Sequence, residues 1–370
     1  MKKILYLNSF TVTQTDYNAS DAVGYGITSS DAICHYLKND YTLIKIPTDP
    51  LDNTAYLDWT LRSYHEVLHY LKNDPPDAIF IFHSFQQFPQ EIKKMLYHLK
   101  LNIPIIGYTH GSHWDPTDTF RHLHCPELHL TDLANLYCLD AILFVTHTFK
   151  DVVIHEIKKM NAPLAEKIAK KSHVVGLPIN TSLIDTYHTT KKNNDITIVF
   201  NHAPVPSKNL MTFLQVMQGL LPRYNHIKCY ITRHLPSDTP EYLHANALAA
   251  AHPGKVFFGK TLPLKDYYTL LWNSDIQVST ASHESLGIAT LEAMYTHNCC
   301  LLPRIGAYPE ISAGISEHLY SDVTELTKKL TFYIENAHER YALAGRLALA
   351  ANNYSMEKLY SHFQQVIADC

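Results

Sequence analysis

No stretch of this chain stays apolar for the ~18 residues that a membrane-crossing helix needs, so no transmembrane segment is expected. The start, Met1-Lys2-Lys3-Ile4-Leu5-Tyr6-Leu7, could be mistaken for a leader. Its apolar run is about four residues, too short for a signal peptide, and no small-residue cleavage site follows soon. It reads as a first buried strand. Cysteine is sparse: there are seven, with no C-x-x-C pair. An odd set without that spacing suits reduced thiols in a cytoplasm, the expected location, rather than a disulfide framework. The adjacent Cys299 and Cys300 read as core. Charge is thin as well. Asp, Glu, Lys and Arg make up 18% of the chain, and the net charge is -4 with histidine neutral. That argues against a large electrostatic footprint on nucleic acid, while a local basic patch remains compatible.

What is present fits two α/β domains. The chain has 370 residues, enough for two domains of ~100–200 residues each. Its hydrophobic content of 46% supports full cores. Apolar runs at 4–7, 41–46, 78–82, 103–110 and 141–146 read as strands. Helical stretches are expected over 28–38, 63–72, 89–99 and from a cap at Thr148 to Met160. Such alternation means a parallel sheet, whose ligands sit at the carboxyl ends of its strands. His83 and His110 fall at strand ends. Gly24 and Gly26, after the polar loop 8–20, permit a tight turn near a ligand. The segment 174–180 closes a first domain taken as 1–188, and the polar run 189–195 reads as a linker. The second domain, 195–354, opens on the clean strand 196–200. Strands near 228–232 and 256–260 and a helix over 265–272 follow. The tail, 355–370, reads as an amphipathic helix. His110, His113, His122 and His124 lie close in sequence, but their spacing fits no standard zinc pattern, so no metal is expected.

The most informative stretch is 275–294, which reads as a short strand, a polar turn and a helix. Ile276 and Val278 mark the strand, Ser282 is the expected N-cap, and Gly287 sits where the helix opens. A helix start offers unpaired N–H groups and about half a positive charge, which suits a phosphate. Leu286, Gly287 and Ile288 line that opening, and Gly287 lets a bulky anion approach the backbone. Glu284 in the turn and Glu292 about two turns into the helix would flank the anion. Carboxylates there suit sugar and ribose hydroxyls, which donate hydrogen bonds.

This E-x7-E spacing, with Ser285-Leu286-Gly287-Ile288-Ala289-Thr290-Leu291-Glu292-Ala293-Met294 inside it, resembles the signature of retaining glycosyltransferases of the large family 4, which have the GT-B fold. The resemblance continues through Pro303-Arg304-Ile305-Gly306-Ala307-Tyr308-Pro309-Glu310-Ile311. It implies two Rossmann-like domains facing a cleft, with the C-terminal helix crossing back to the first. It implies a diphosphate site near Gly24 and Gly26, a sugar-facing His110, and a base-reading segment around Leu262. After the strand 196–200 the family places an Arg and, five positions on, a Lys, both neutralising the leaving diphosphate. Lys208 matches the Lys, whereas Ala203 stands at the Arg position; Arg304 is the candidate to compensate. The spacing N-H-x5-K-N from Asn201, together with Tyr308-Pro309-Glu310, is similar to the tRNA-queuosine mannosyltransferase branch.

The expectation is therefore retaining transfer of a hexose from a UDP- or GDP-linked sugar to an acceptor that is a glycan, a small molecule or tRNA. His110, Glu284 and Lys208 would be catalytic, and Asn201, Glu292 and Arg304 would help bind the donor. The donor is a substrate, and no cofactor or metal is called for. Two rivals stay open. One is a nucleotide-sugar-binding protein without turnover, motivated by Ala203. The other is a transferase directed at nucleic acid, using Lys158, Lys159, Lys167, Lys170 and Lys171.

Overall fold

Apolar runs bounded by helices pair in parallel, because a strand covered on both faces needs a crossover to return in the same direction. In the computed structural model, which describes residues 1–8, 25–46, 55–84, 89–118, 128–190 and 195–370, the chain divides into two compact units.

The first unit holds a sheet of Lys3–Leu7 (β1), Thr42–Lys45 (β2), Ala78–Ile81 (β3), Ile105–Thr109 (β4), Ala141–Phe144 (β5) and Ser172–Val174 (β6). Their order is β2-β1-β3-β4-β5-β6, and every pairing is parallel. β3, β4 and β5 are buried at every residue. The last helix, Met356–Asp369, belongs to this unit. Its Phe363 ring lies 6.4 Å from Phe80 and 5.8 Å from Tyr108. Gln364 Nε2 donates to Asp40 at 2.7 Å, beside a contact from the Tyr360 hydroxyl to the same carboxylate. The amphipathic tail thus covers the sheet that the start of the chain built.

The second unit runs over Thr181–Ser355. Its sheet contains Ile196–Phe200 (β7), Ile227–His234 (β8), Val256–Gly259 (β9), Ile276–Val278 (β10), Cys299–Pro303 (β11) and Leu319–Tyr320 (β12). The order is β12-β11-β10-β7-β8-β9, again all parallel. The chain builds outward from β7 through β8 to β9, then returns to lay β10 on the other side of β7. That reversal makes a topological switch point between β7 and β10. Loops leaving the carboxyl ends of adjacent strands diverge there and leave a crevice.

Several local expectations shift. The short helix Thr181–Thr186 docks in the second unit, so residues 181–188 do not end the first domain there. Trp272 Nε1 donates to Ile184 O at 3.0 Å, and the Tyr295 hydroxyl donates to Asp185 Oδ2 at 3.0 Å, and these bonds hold the segment. The first helix spans Tyr25–Asp40, so Gly26 lies inside it rather than in a turn. Gly24, His122 and His124 lie outside the described residues. Thr146, not Thr148, caps the helix His147–Met160, accepting from Phe149 N. β8 reaches His234, two residues beyond the expected end.

Candidate functional site

The two loops at the second unit's switch point are joined to each other. After β7 the chain forms a single 3-10 turn, Pro206–Lys208. After β10 it runs through a polar loop to the helix Ile288–Tyr295. Thr280 Oγ1 donates to Lys208 O and to Asn209 O, each at 2.9 Å. Ser282 N donates to Ser207 O at 2.8 Å. Ser282 is therefore spent on this seam and is not the helix cap. The N-cap is Gly287, in the left-handed region at φ 93, a conformation that a side chain would strain. Because the helix opens later than expected, Glu292 sits in its second turn.

The seam brings Lys208 Nζ to 2.7 Å from Glu284 Oε2, with the two side chains only 16% and 12% exposed. Lys208 Nζ also donates to His283 O at 3.2 Å. The Tyr308 hydroxyl reaches the same Glu284 oxygen at 3.2 Å and contacts Ser279 Oγ at 2.7 Å. Burial pushes the Glu284 carboxyl up, but the positive charge of Lys208 and the hydrogen bond from its ammonium outweigh it and hold it below the usual carboxylate range. Ala307 N donates to the backbone oxygen of Glu284 at 3.1 Å. Gly306 approaches that oxygen so closely that a Cβ would lie 2.4 Å from it, at φ +47. The Gly306 turn thus presses directly on the peptide that carries Glu284.

Glu292 is 6% exposed. Tyr268 donates to its Oε1 and Tyr267 to its Oε2, both at 2.8 Å. Burial pushes this carboxyl up, and the two hydroxyls and Arg233 pull it back only in part. Asn201 Nδ2 donates to the Tyr267 oxygen at 3.1 Å and to Ala289 O at 2.6 Å. Gln277 Nε2 lies 3.2 Å from Asn201 Oδ1 and 3.0 Å from His202 Nε2. An amide nitrogen only donates, so His202 Nε2 accepts and its ring proton sits on Nδ1. Burial, reinforced by Lys208, holds His202 down to about 4, so it is neutral at pH 7. Lys208, Glu284, Asn201, Gly287 and Glu292 all come together here. Tyr267, Tyr268, Gln277, Tyr308 and Arg233 join them without having been singled out in the sequence. No spacing rule marks them, since they come from four separate elements.

Other expected residues fall elsewhere. Leu286 is buried and Ile288 is the first helical residue. Leu262 N donates to Thr232 O at 3.0 Å, so that amide is already spent and base reading would fall to its neighbours. Arg304 is exposed, with its backbone N on Tyr320 O, and its charge is felt at His318. The cation beside Glu284 is Lys208. In the first unit, His110 stacks on Tyr108 at 4.8 Å and places Nε2 2.5 Å from Phe82 O. Burial lowers it to about 3, against the raising effect of that bond. It is a neutral donor locked to the backbone, not a cation. Among the described residues no group of three or more His, Cys, Asp or Glu could hold a metal ion.

Comparison with known proteins follows this division. Residues 186–344 match the family model for glycosyl transferases group 1. A tRNA-queuosine alpha-mannosyltransferase from Drosophila melanogaster is 28% identical over 176 residues, covering 45% of this chain and 45% of that protein. The aligned part is thus less than half of the curated relative. Among solved structures, Anabaena HepE in complex with UDP-glucose superposes with a TM-score of 0.71 at 12% identity, covering 100% of both chains. A trehalose-6-phosphate synthase studied with bisubstrate glycomimetics for glycosyltransfer with retention gives 0.70 at 12%, covering 100% of this chain and 99% of that one. The fold is GT-B, and the match to the group 1 glycosyl transferase model falls within the second unit.

Two outcomes follow from this geometry. Gly306→Ala should displace Glu284 and destabilise the second unit by about 1–3 kcal/mol, because the new Cβ meets a backbone oxygen and sits at an unfavourable φ. Chemical denaturation reads this, and an unchanged midpoint would mean that the turn yields freely. The second concerns pH. His202 and His318, each lowered to about 4, and His110, lowered to about 3, stay neutral in the folded chain. Unfolded imidazoles titrate near ~6.5. As pH falls from that value towards 4, the unfolded chain binds protons that the folded one refuses, so stability falls, by up to ~1.4 kcal/mol per pH unit for each ring. Glu284 adds a loss at lower pH, since its folded value lies below its ordinary one. Replacing His202 with Gln should flatten the slope measured by denaturation at pH 7, 6 and 5. A slope equal to wild type would remove His202 from the account.

Proposed function

We propose that this protein is a metal-independent, retaining glycosyltransferase that moves a hexose from a UDP- or GDP-linked sugar to an acceptor hydroxyl. The observation that carries the reading is the buried Lys208–Glu284 pair at 2.7 Å, set beside the glycine-opened start of the Ile288–Tyr295 helix at the switch point. A cation and unpaired helix N–H groups suit a diphosphate, and the carboxylates suit hydroxyls. The similarity to HepE, which was solved with UDP-glucose, and to a retaining trehalose-6-phosphate synthase supports the same class of donor and outcome.

In this reading Lys208 and the backbone at Leu286, Gly287 and Ile288 hold the diphosphate. Glu292 takes the ribose hydroxyls. Each of its oxygens already accepts one tyrosine hydroxyl, and a carboxylate oxygen has room for a second donor. Glu284 takes the sugar through Oε1, since Oε2 is engaged by Lys208 and Tyr308. Asn201 keeps Tyr267 aimed at Glu292. The bond from the anomeric carbon to the diphosphate oxygen breaks. The acceptor oxygen bonds to that carbon on the same face, and its proton passes to the departing phosphate. Such a reaction relies on placing the reactants and on neutralising the leaving group. His110 is a neutral hydrogen-bonding group at a strand end of the first unit.

A second reading, in which the acceptor is tRNA, draws on the tRNA-queuosine relative. Lys158, Lys159, Lys167 and Lys170 are exposed in the last turns of two consecutive helices. Their use would show as salt-dependent RNA binding. Lys171 does not join them, because its ammonium is folded onto Tyr137 O and Leu139 O.

Incubation with UDP- and GDP-hexoses, with the anomeric form of the released or transferred sugar read by NMR, tests the proposal. Lys208→Ala and Glu292→Gln should each weaken nucleoside diphosphate binding about ten- to hundredfold, the worth of a charge-assisted contact. Glu284→Gln should spare that affinity and lower turnover instead. An inverted product would overturn retention. Binding of UDP-sugar without any transfer or hydrolysis would favour the protein without turnover.

A further inference from the structure

The charges around the switch point do not balance a bound diphosphate unless one more residue takes part. Lys208 is offset by Glu284 at 2.7 Å. His202 is neutral, and Glu292 contributes no positive charge. A ligand with several negative charges would meet no surplus cation in this set. Arg233 supplies one. It is the penultimate residue of β8, on the opposite side of β7 from β10, and so lies at the carboxyl end of the sheet. Its guanidinium carbon is 5.9 Å from the centroid of the Tyr267 ring, whose hydroxyl bonds Glu292. Its charge is felt at His202, Glu292, Tyr267 and Tyr268. Among the described residues Arg233 forms no ion pair, and its Nε is buried without a hydrogen-bond partner.

The backbone that carries it is also built. The β8–β9 pairing shifts register between Tyr230 and His234, and such irregularities re-aim side chains next to functional sites. On either side of Arg233 the strand is clamped to the following loop. Thr232 O accepts from Leu262 N at 3.0 Å, and His234 N donates to Thr261 Oγ1 at 2.9 Å. A half-buried arginine on a clamped strand end, set over a tyrosine ring and outside any ion pair, has its donor fork ready for an oxyanion.

We propose that Arg233, a cation of this site outside any ion pair, binds the diphosphate of the nucleotide donor. The inference rests on reading the site as one for a nucleoside diphosphate. It assigns to a strand end the charge that Ala203 does not provide.

Calorimetry with UDP and GDP, and with uridine and guanosine as phosphate-free probes, tests it on wild type, Arg233→Gln, Arg233→Lys and Lys208→Ala, each checked for folding by thermal melting. Arg233→Gln should weaken whichever diphosphate the wild type binds by about ten- to hundredfold and flatten its salt dependence, with nucleoside affinity unchanged. Arg233→Lys, which keeps the charge, should lose less. Unchanged diphosphate affinity in Arg233→Gln, with a loss in Lys208→Ala, overturns this inference and leaves the proposed function standing. Equal losses for nucleoside and diphosphate also overturn it, by placing Arg233 on the base. A wild type that binds neither UDP nor GDP overturns both.

Discussion

The ion pair between Lys208 and Glu284 is the contact on which the second unit's site depends. It joins the turn after β7 to the loop after β10, residues 76 apart in sequence. Neither charge would be stable in so enclosed a place alone, since burying an unpaired ion costs several kcal/mol. Together they are tolerable, and the surrounding bonds show how the pair is kept. Thr280 and Ser282 stitch one loop to the other from below, Tyr308 braces the carboxylate, and Gly306 brings a second turn against its peptide. A pre-formed pair also means that the lysine is positioned before any ligand arrives, so little ordering remains to be done on binding.

Behind the pair runs a chain of buried polar groups from Tyr268 through Glu292, Tyr267, Asn201 and Gln277 to His202. Such networks are stable only when their members find partners, and they then favour one arrangement over others. Here the arrangement decides protonation. Gln277 sets the tautomer of His202, and burial keeps that ring neutral. Glu292 is held by two phenols rather than by a cation. Positive charge is therefore concentrated at two points, Lys208 and Arg233, at the ends of neighbouring strands.

The first unit shows the same strategy with a different result. His110 lies at a strand end, where ligands gather in such sheets, yet its ring is stacked on Tyr108 and bonded to Phe82 O. Its chemistry is narrowed to a neutral hydrogen-bonding group. The closing helix Met356–Asp369 then covers the same aromatic layer through Phe363, so the beginning and the end of the chain share one core.

Much of this was legible locally. Apolar runs of four to eight residues marked the strands, and the glycine at 287 marked the helix opening, because period and backbone freedom are properties of a few adjacent residues. Glu284, Glu292 and Lys208 could be singled out as candidates from motif spacing. Tertiary structure alone decided the rest. Ser282 looked like a cap by type, but a partner from another loop claimed its backbone. Arg304 looked close to the motif in sequence, but its charge is felt at His318. Tyr267, Tyr268, Gln277 and Arg233 entered the site because β10 returns beside β7, with β8 on the other flank. A strand order of that kind is set by how helices and sheets bury their apolar faces across the whole unit, and no window of adjacent residues contains it.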